Sequence, residues 1–237
     1  MGAFFYGVSL QWKLDIRSKT LLVTYYIVPL VFFAIMGGIF TSVMPESRNT
    51  LIQSMTVFGV TMGALIGLPP SLVEIYGSDI KKIYKANGVP LWLGFALTNL
   101  SAFIHLFCMS LLLYIAAPMV FDAAIPANTG WYFACLAVWI VVSLSVASVI
   151  GLAVKDQAKT SMVSILVFLP SIMLSGIMFP MELLPKALET VGKIFPASWG
   201  YRLLSETGFR LETLLPLLSI FLIAALACAV LLHKVKV

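Results

Sequence analysis

The chain has few charged residues for its length. Asp, Glu, Lys and Arg make up 11% of its 237 residues, whereas hydrophobic residues make up 61%. An ordinary soluble domain is about 25% charged, so this composition leaves too little polar material to cover a soluble surface. The scarcity of charge therefore excludes a soluble globular domain and indicates a protein that lies in a lipid bilayer.

Cysteine is also scarce, and its pattern excludes two further classes of protein. Cys108, Cys135 and Cys228 are odd in number, lie in apolar stretches, and show neither a CxxC nor a Cys/His spacing. Such a pattern supports neither a disulfide framework nor a zinc site. We expect all three to pack as small apolar side chains.

Motifs for hydrolysis are absent. The sequence has no GxxxxGK[ST] phosphate loop, so any use of ATP and Mg²⁺ must belong to another chain. Intramembrane hydrolysis would need a zinc-binding HExxH motif, a serine nucleophile in a form such as GxSG, or aspartates inside apolar stretches. The sequence has none of these. We therefore predict that the chain is not an enzyme and holds no cofactor of its own.

Six apolar windows dominate the rest of the sequence. An apolar helix of about 20 residues crosses a hydrocarbon core of about 30 Å and satisfies its own backbone hydrogen bonds. We therefore predict an all-α membrane protein with six transmembrane helices, forming a single domain over residues 1–237. The windows are Leu21–Met44, Leu51–Val73, Leu91–Pro118, Trp131–Val154, Ser161–Phe179 and Thr213–Leu232.

Lys and Arg are unevenly distributed among the connecting segments. With the N-terminus inside, the inner segments carry ten of them and the outer segments five. Arg48 is the only one in the short outer connections, and the other four lie after the fifth window, where four Glu balance them. The positive-inside rule then predicts that both termini are cytoplasmic, in a bacterial inner membrane or a plasma membrane. We interpret the net charge of +5 as a topology signal and expect no nucleic-acid partner.

The N-terminal stretch, residues 1–20, has an amphipathic pattern. Phe5, Val8, Trp12 and Ile16 recur at steps of three or four, with polar residues such as Asp15 elsewhere. This spacing predicts an interfacial helix along the inner leaflet. A basic leader that only sets the topology is the alternative.

The loop over residues 74–90 has a second, shorter pattern. Its apolar positions Ile80, Ile83 and Tyr84 alternate with lysines, and Asn87-Gly88 supplies a stop. The pattern predicts a short amphipathic helix that docks onto a partner, although a solvated basic loop would show similar spacing.

The stretch from Phe168 to Leu204 begins as an apolar window and then breaks at Gly176 and Pro180. Beyond the break, apolar residues recur with helical spacing over about eleven residues, which is too short to cross a membrane. We predict an outer helical segment over residues 180–212 that lies in or against the membrane surface.

These segments together resemble one protein family. SGIMFPMELLP followed by KIFPASWGYRLL is similar to the C-terminal signature of the ABC-2 type permeases, the membrane subunits of type V ABC exporters, and residues 74–90 resemble their cytoplasmic coupling loop. The resemblance covers essentially the whole chain. The family's loop usually carries Glu, a second acidic residue and Gly-Thr, whereas here Glu74 is followed by Gly77, Ser78 and Asp79.

The resemblance implies partners, cargo and site residues. The partners would be an ABC nucleotide-binding ATPase, which uses ATP and Mg²⁺, and a second permease, identical or different. The cargo would be a hydrophobic or amphipathic drug, lipid or antimicrobial peptide. The coupling residues would be Glu74, Gly77, Asp79, Lys81, Lys82 and Lys85. The outer gate would comprise Gly176, Pro180, Pro196 and Trp199.

Two other functions stay open at this point. One is a secondary transporter driven by an ion gradient, although such a protein would favour carboxylates inside its spans. The other is an ABC-2 exporter of a polysaccharide precursor or of sodium.

Polar and small residues inside the windows add further expectations. His105, with Asn99 nearby, is a candidate intramembrane polar site, and the alternative is a neutral imidazole hydrogen-bonded to a neighbouring helix. Gly59, Gly63 and Gly67 repeat every four residues, which predicts close approach of another helix. The prolines Pro29, Pro69, Pro70 and Pro170 are expected to bend or interrupt their helices.

Overall fold

The computed structural model describes residues 2–77, 80–178 and 184–236, and within these ranges it is helical and contains no strand. Five of the described helices are long and apolar enough to cross a membrane. The helices in chain order are α1 Gly2–Arg17, α2 Lys19–Val43, α3 Leu51–Tyr76, α4 Ile80–Ala86, α5 Leu91–Phe121, α6 Thr129–Ala153, α7 Gln157–Met173, α8 Lys186–Gly192, α9 Pro196–Ser205 and α10 Leu211–Lys236.

Helix α7 is the shortest apolar helix of the bundle and occupies the fifth predicted window. Its 17 residues are about 25 Å long, against about 30 Å for a hydrocarbon core. The predicted window continues to Phe179, but the helix ends at Met173 and the chain turns at Gly176, whose φ of 86° lies in the left-handed region. Five of the six predicted spans therefore correspond to helices long enough to cross a membrane, and the fifth window corresponds to this shorter helix.

Helix α3 forms the centre of the bundle, because almost all of its side chains from Leu51 to Leu72 are buried. It packs against α5, α6, α7 and α9. The glycine ridge lies where its spacing predicts. A Cβ atom on Gly59 would overlap Met109, one on Gly63 would overlap Leu106, and one on Gly67 would lie 2.8 Å from Cε1 of Tyr25. The neighbouring helices thus approach the α3 backbone as closely as glycine allows.

Two prolines that were expected to bend or interrupt helices follow wide π-helical turns. The turn Val23–Ile27 precedes Pro29 in α2, and the turn Gly63–Gly67 precedes Pro69 in α3. A proline ring collides with the carbonyl four residues earlier, which is Tyr25 for Pro29 and Leu65 for Pro69, so the collision falls inside the wide turn. The helices therefore continue, and Pro170 also lies inside its helix.

Apolar side chains cover much of the outside of the bundle. Ile27, Val31 and Ile35 on α2 are exposed, as are Leu222 and Leu226 on α10. A surface of this kind suits hydrocarbon chains and not water.

Candidate functional site

The connections 44–50 and 122–128 meet residues 174–178 and 184–210 at one end of the bundle, which we call the cavity end. The backbone N–H of Ala124 donates to the carbonyl of Arg48 at 2.9 Å and joins the first two connections. Residues 74–77 and 80–90 lie at the opposite end, the loop end, where Gly77 packs against Lys155.

A cavity of about 880 Å³ opens at the cavity end and is called the large cavity. Its lining is amphipathic, since apolar and charged side chains face the same space. The apolar lining residues include Phe40, Leu51, Ile177, Met178 and Trp199, and the charged ones are Glu46, Arg202, Glu206, Arg210 and Glu212.

Two of the four predicted gate residues line this cavity. Gly176 and Trp199 line it, whereas Pro196 occupies the first turn of α9 and is not among the lining residues. Pro180 lies outside the described residues. The indole N–H of Trp199 donates to the carbonyl of Lys193 at 2.7 Å, and the guanidinium carbon of Arg202 lies 5.3 Å from the ring centroid. Trp199 is thereby held by a hydrogen bond and a cation–π contact.

The described part of the predicted outer segment forms α8 and α9, which are fixed to the bundle. The Ser198 hydroxyl donates to the carbonyl of Gly192 at 2.6 Å and joins the two helices. A Cβ atom on Gly200 would lie 2.6 Å from the ring of Trp139, so α9 lies directly on α6. These close contacts hold the segment against the bundle, so it is part of the packed fold and not a free loop.

A smaller cavity of about 180 Å³, called the small cavity, lies beside the large one. Glu206 lines both cavities. Its Oε1 accepts a hydrogen bond from the Thr213 hydroxyl at 2.6 Å. The sequence pattern indicated Glu206 only as one of four acidic residues that balance the outer segment. Its place between two cavities depends on a long-range contact that no local pattern records.

His105 lies in an aromatic cluster on the inner side of α1 and α2. Its ring is stacked with those of Trp12 and Tyr25, at centroid distances of 5.8 and 5.5 Å, and meets Tyr26 edge-on. Its Nδ1 lies 2.8 Å from the Tyr26 hydroxyl. This hydrogen bond to a neighbouring helix is the contact expected if His105 is a neutral imidazole that joins two helices.

Asn99 does not share a polar site with His105. Its Oδ1 accepts from the Ser148 hydroxyl on α6 at 3.0 Å, and its Nδ2 donates to the carbonyl of Phe95 at 3.0 Å. The structure therefore divides the predicted pair between two helix interfaces.

Asp15 is the polar residue that the sequence pattern assigned to the wrong side of α1. Its side chain is buried, accepts from the Ser101 hydroxyl on α5 at 2.5 Å and from Gln11 at 2.9 Å. Burial raises the pKa of this carboxyl above its ordinary value, and the hydrogen bonds from Ser101 and Gln11 partly oppose the rise. Ile16, expected on the apolar side, is exposed.

The side of α1 that packs on the bundle includes a stripe of small and polar residues beside Trp12. Gly7, Gln11 and Asp15 follow one another at steps of four, and a Cβ atom on Gly7 would lie 3.3 Å from Cδ1 of Leu97 on α5. That spacing was the available signal for the interface. The sequence interpretation places the apolar stripe along the inner leaflet and assigns no contact to the polar one.

The predicted coupling residues lie at or near the loop end. The amphipathic helix expected there is α4, where Ile83 is 58% exposed and Tyr84 packs on Gly94. Glu74 and Lys82 are exposed, and Gly77 has no room for a side chain, since a Cβ atom would lie 2.9 Å from the carbonyl oxygen of Lys155. Only the backbone of Lys81 and Lys85 is described, and Asp79 lies outside the described residues.

Metal binding finds no support in the described part of the chain. Within it, no group of three or more His, Cys, Asp or Glu side chains is placed to hold a metal ion. Cys108, Cys135 and Cys228 are free thiols.

Comparison with known protein families identifies the family of this chain. A family model described as ABC-2 type transporter matches residues 3–209. No curated protein shows a significant match to the chain.

Proposed function

Because the chain belongs to the ABC-2 type transporter family and is therefore a transport permease, we propose that it is the membrane subunit of an ATP-driven exporter. The single observation that carries this proposal is the family match, which spans all but the last helix. The permease is not itself catalytic, and members of its family work with an ATPase subunit. The absence of a phosphate loop from the sequence agrees with that division of labour.

We propose that α4 and the neighbouring residues 74–77 receive the ATPase. Ile83 is a large apolar side chain exposed beside Lys82. An exposed apolar residue with basic neighbours suits a partner that offers an apolar pocket with an acidic rim. Glu74, Gly77, Asp79, Lys81, Lys82 and Lys85 remain the proposed coupling residues.

The proposed direction and cargo rest on the cavity end. We propose that both termini are cytoplasmic, that α1 lies along the inner leaflet and that α7 also crosses the membrane, as the fifth of six spans. The large cavity then faces outward, and Gly176, Pro180, Pro196 and Trp199 close it. Its mixture of apolar and charged side chains supports a hydrophobic or amphipathic cargo such as a drug, a lipid or a peptide.

A second permease, identical or different, completes the proposed transporter. Exposed apolar side chains on α2 and α7 provide surface for it, including Val31, Ile35, Ile165 and Leu169. These side chains would otherwise face lipid.

The test compares two exposed isoleucines in proteoliposomes that contain the permease and its ATPase subunit. Ile83→Glu alters α4, and Ile194→Glu alters an equally apolar site at the cavity end, where Ile194 is 71% exposed. We expect Ile83→Glu to weaken ATPase binding and cargo-stimulated ATP hydrolysis by about tenfold or more, as removal of a central interface residue does. Ile194→Glu should retain both.

Three results would contradict the proposal. Normal coupling in Ile83→Glu would remove α4 from the ATPase interface. Transport that needs an ion gradient and no ATP would favour the secondary transporter. Stimulation of ATP hydrolysis by a polysaccharide precursor or by sodium alone would overturn the proposed cargo class.

A further inference from the structure

Helix α1 leaves one of its sides exposed, and this side carries two kinds of residue. Leu10 and Leu14 are 46% and 52% exposed and form what we call the apolar edge. Lys13 and Arg17 are exposed as well and form the basic edge. Since each residue of an α-helix turns about 100°, the basic edge lies about 60° around the axis from the apolar edge. One lipid molecule can therefore contact both edges.

The apolar edge lies between the basic edge and the side of α1 that packs on α5. The helical step places Gln11 about 100° from Leu10 in one direction and Lys13 about 60° from it in the other. Gln11 bonds to Asp15, whose carboxyl accepts from Ser101 on α5. Around α1 the surroundings thus change from protein to an apolar surface and then to positive charge. A helix that lies at a membrane boundary against a bundle needs this order.

The basic edge has no exposed acid beside it in α1. Asp15 is the only acidic residue from Gly2 to Arg17, and its side chain is buried against α5. Burial also favours the uncharged form of its carboxyl, because it raises the pKa. Among the described residues, neither Lys13 nor Arg17 has a partner in an ion pair. Two cations four residues apart thus face outward without an opposite charge.

The basic edge lies next to the start of the first long span. Helix α1 ends at Arg17 and α2 begins at Lys19, which is also exposed. Between them, the Ser18 hydroxyl accepts from the backbone N–H of Leu21 at 3.4 Å and caps α2. A charged side chain is costly in hydrocarbon, so Lys19 marks the point where α2 leaves it. The basic edge is therefore close to the membrane boundary, where the phosphate groups of lipids lie.

An anionic phospholipid fits both edges at once. Its acyl chains cover the apolar edge, and its phosphate accepts charge-assisted hydrogen bonds from the basic edge. A free phosphate ion would leave Leu10 and Leu14 exposed. A zwitterionic lipid would bring a cation of its own close to Lys13 and Arg17. The charge and the apolar surface together thus favour the anionic lipid.

We propose that the basic edge of α1 binds the phosphate group of an anionic phospholipid, whose acyl chains cover the apolar edge. This inference rests on the proposed position of α1 along the inner leaflet and names the class of lipid that it selects there. Lys13 and Arg17 are the residues that bind the head group.

The experiment measures the binding of single lipids to the purified full chain in uncharged detergent micelles, by native mass spectrometry. The probes are phosphatidylglycerol and phosphatidylcholine with identical acyl chains. We expect the first phosphatidylglycerol to bind about tenfold or more tightly than phosphatidylcholine, because two cations attract its head group. The double variant Lys13→Gln with Arg17→Gln should lose this preference. Lys13→Arg with Arg17→Lys keeps both charges and should retain it.

A matched control removes two exposed charges from the connection between α6 and α7. Lys155 and Lys159 are also four residues apart and exposed, but the exposed Asp156 lies between them. Lys155→Gln with Lys159→Gln should therefore retain most of the preference for phosphatidylglycerol. An equal loss in both double variants would show a general attraction of charge and would overturn the site on α1.

The other occupants give different outcomes. Equal affinity of the two lipids for the parent would contradict the head-group assignment. Displacement of phosphatidylglycerol by millimolar inorganic phosphate would contradict the contribution of the acyl chains. An acidic surface of the ATPase subunit is the remaining alternative. If Lys13→Gln with Arg17→Gln lost ATPase binding without added phosphatidylglycerol, that result would assign the basic edge to the ATPase and contradict the lipid site.

The failure of this site and the failure of the proposed function are distinguishable. A preference for phosphatidylglycerol that depends on Lys13 and Arg17, in a permease whose transport needs no ATP, would support the site and contradict the exporter. ATP-driven export by a permease with no such preference would support the exporter and contradict the site.

Discussion

The substitution Gly63→Ala should destabilise the bundle at the crossing of three helices. A Cβ atom at this position would overlap Cδ2 of Leu106 on α5 and lie 2.9 Å from Cδ1 of Tyr25 on α2. Leu106 is 0% and Tyr25 2% exposed. Neither side chain has free space to move into, so the added methyl group must displace a helix or force a strained rotamer.

The size of the stability loss can be estimated by comparison with Gly38, a matched glycine on α2. Replacement of a helical glycine by alanine stabilises the folded protein by about 1 kcal/mol, because alanine has the higher helix propensity. An extra methyl group in a packed core, by contrast, destabilises it by about 1–3 kcal/mol. A Cβ atom on Gly38 would have only ordinary contact, at 3.8 Å from Phe121. Since the backbone gain is common to both variants, Gly63→Ala should be less stable than Gly38→Ala by about 1–3 kcal/mol.

The assay is reversible unfolding of the purified permease in mixed micelles, followed by tryptophan fluorescence as the fraction of denaturing detergent rises. The double variant Gly63→Ala with Leu106→Ala should show a favourable interaction free energy relative to the two single variants, because the shortened side chain makes room for the methyl group. Equal stability of Gly63→Ala and Gly38→Ala would refute the close approach of α2 and α5 to α3.

Two further predictions concern Asp15 and Gly176. The pKa of Asp15 is raised in the folded protein from 3.8, so its contribution to stability is fully present below that pH and is lost as the pH rises through the folded pKa. The stability of the parent relative to Asp15→Asn should therefore fall as the pH rises above about 4, and parallel unfolding curves would contradict this. Gly176→Ala should cost about 1–2 kcal/mol, since its φ is 86°. Gly208→Ala, where a Cβ atom meets nothing within 4 Å, should cost less in the same unfolding assay, and an equal loss would contradict a role of backbone strain.

The parts of the fold that the sequence predicted are those that depend on local composition. The apolar windows match the long helices because a membrane span needs a continuous apolar run. The glycine ridge was predictable because a missing side chain permits close packing whichever helix fills the space. The amphipathic helix at α4 followed from its spacing.

The parts that the sequence did not predict depend on contacts between distant residues. An acid such as Asp15 is assigned to solvent by any hydropathy pattern, and only the position of Ser101 on another helix reverses that assignment. Glu206 likewise lies in a segment that is polar in sequence, and its place between two cavities is set by residues from three other parts of the chain. Helix α7 ends early because the chain turns at Gly176, which has a left-handed conformation. The apolar residues around Gly176 give no sign of this conformation in the sequence.

The π-helical turn in α3 also fixes a rotation between its two halves. One such turn accommodates one extra residue, and each residue of an α-helix corresponds to about 100° around the axis. The segment after Gly67 therefore presents different faces from those that a continuous α-helix starting at Leu51 would present. In the observed rotation Leu72 packs against Gly151 on α6, where an added Cβ atom would lie 2.9 Å from the Cβ atom of Leu72. Loss of one residue from Gly63–Gly67 would leave the helix long enough to span the membrane but would turn its final third away from α6.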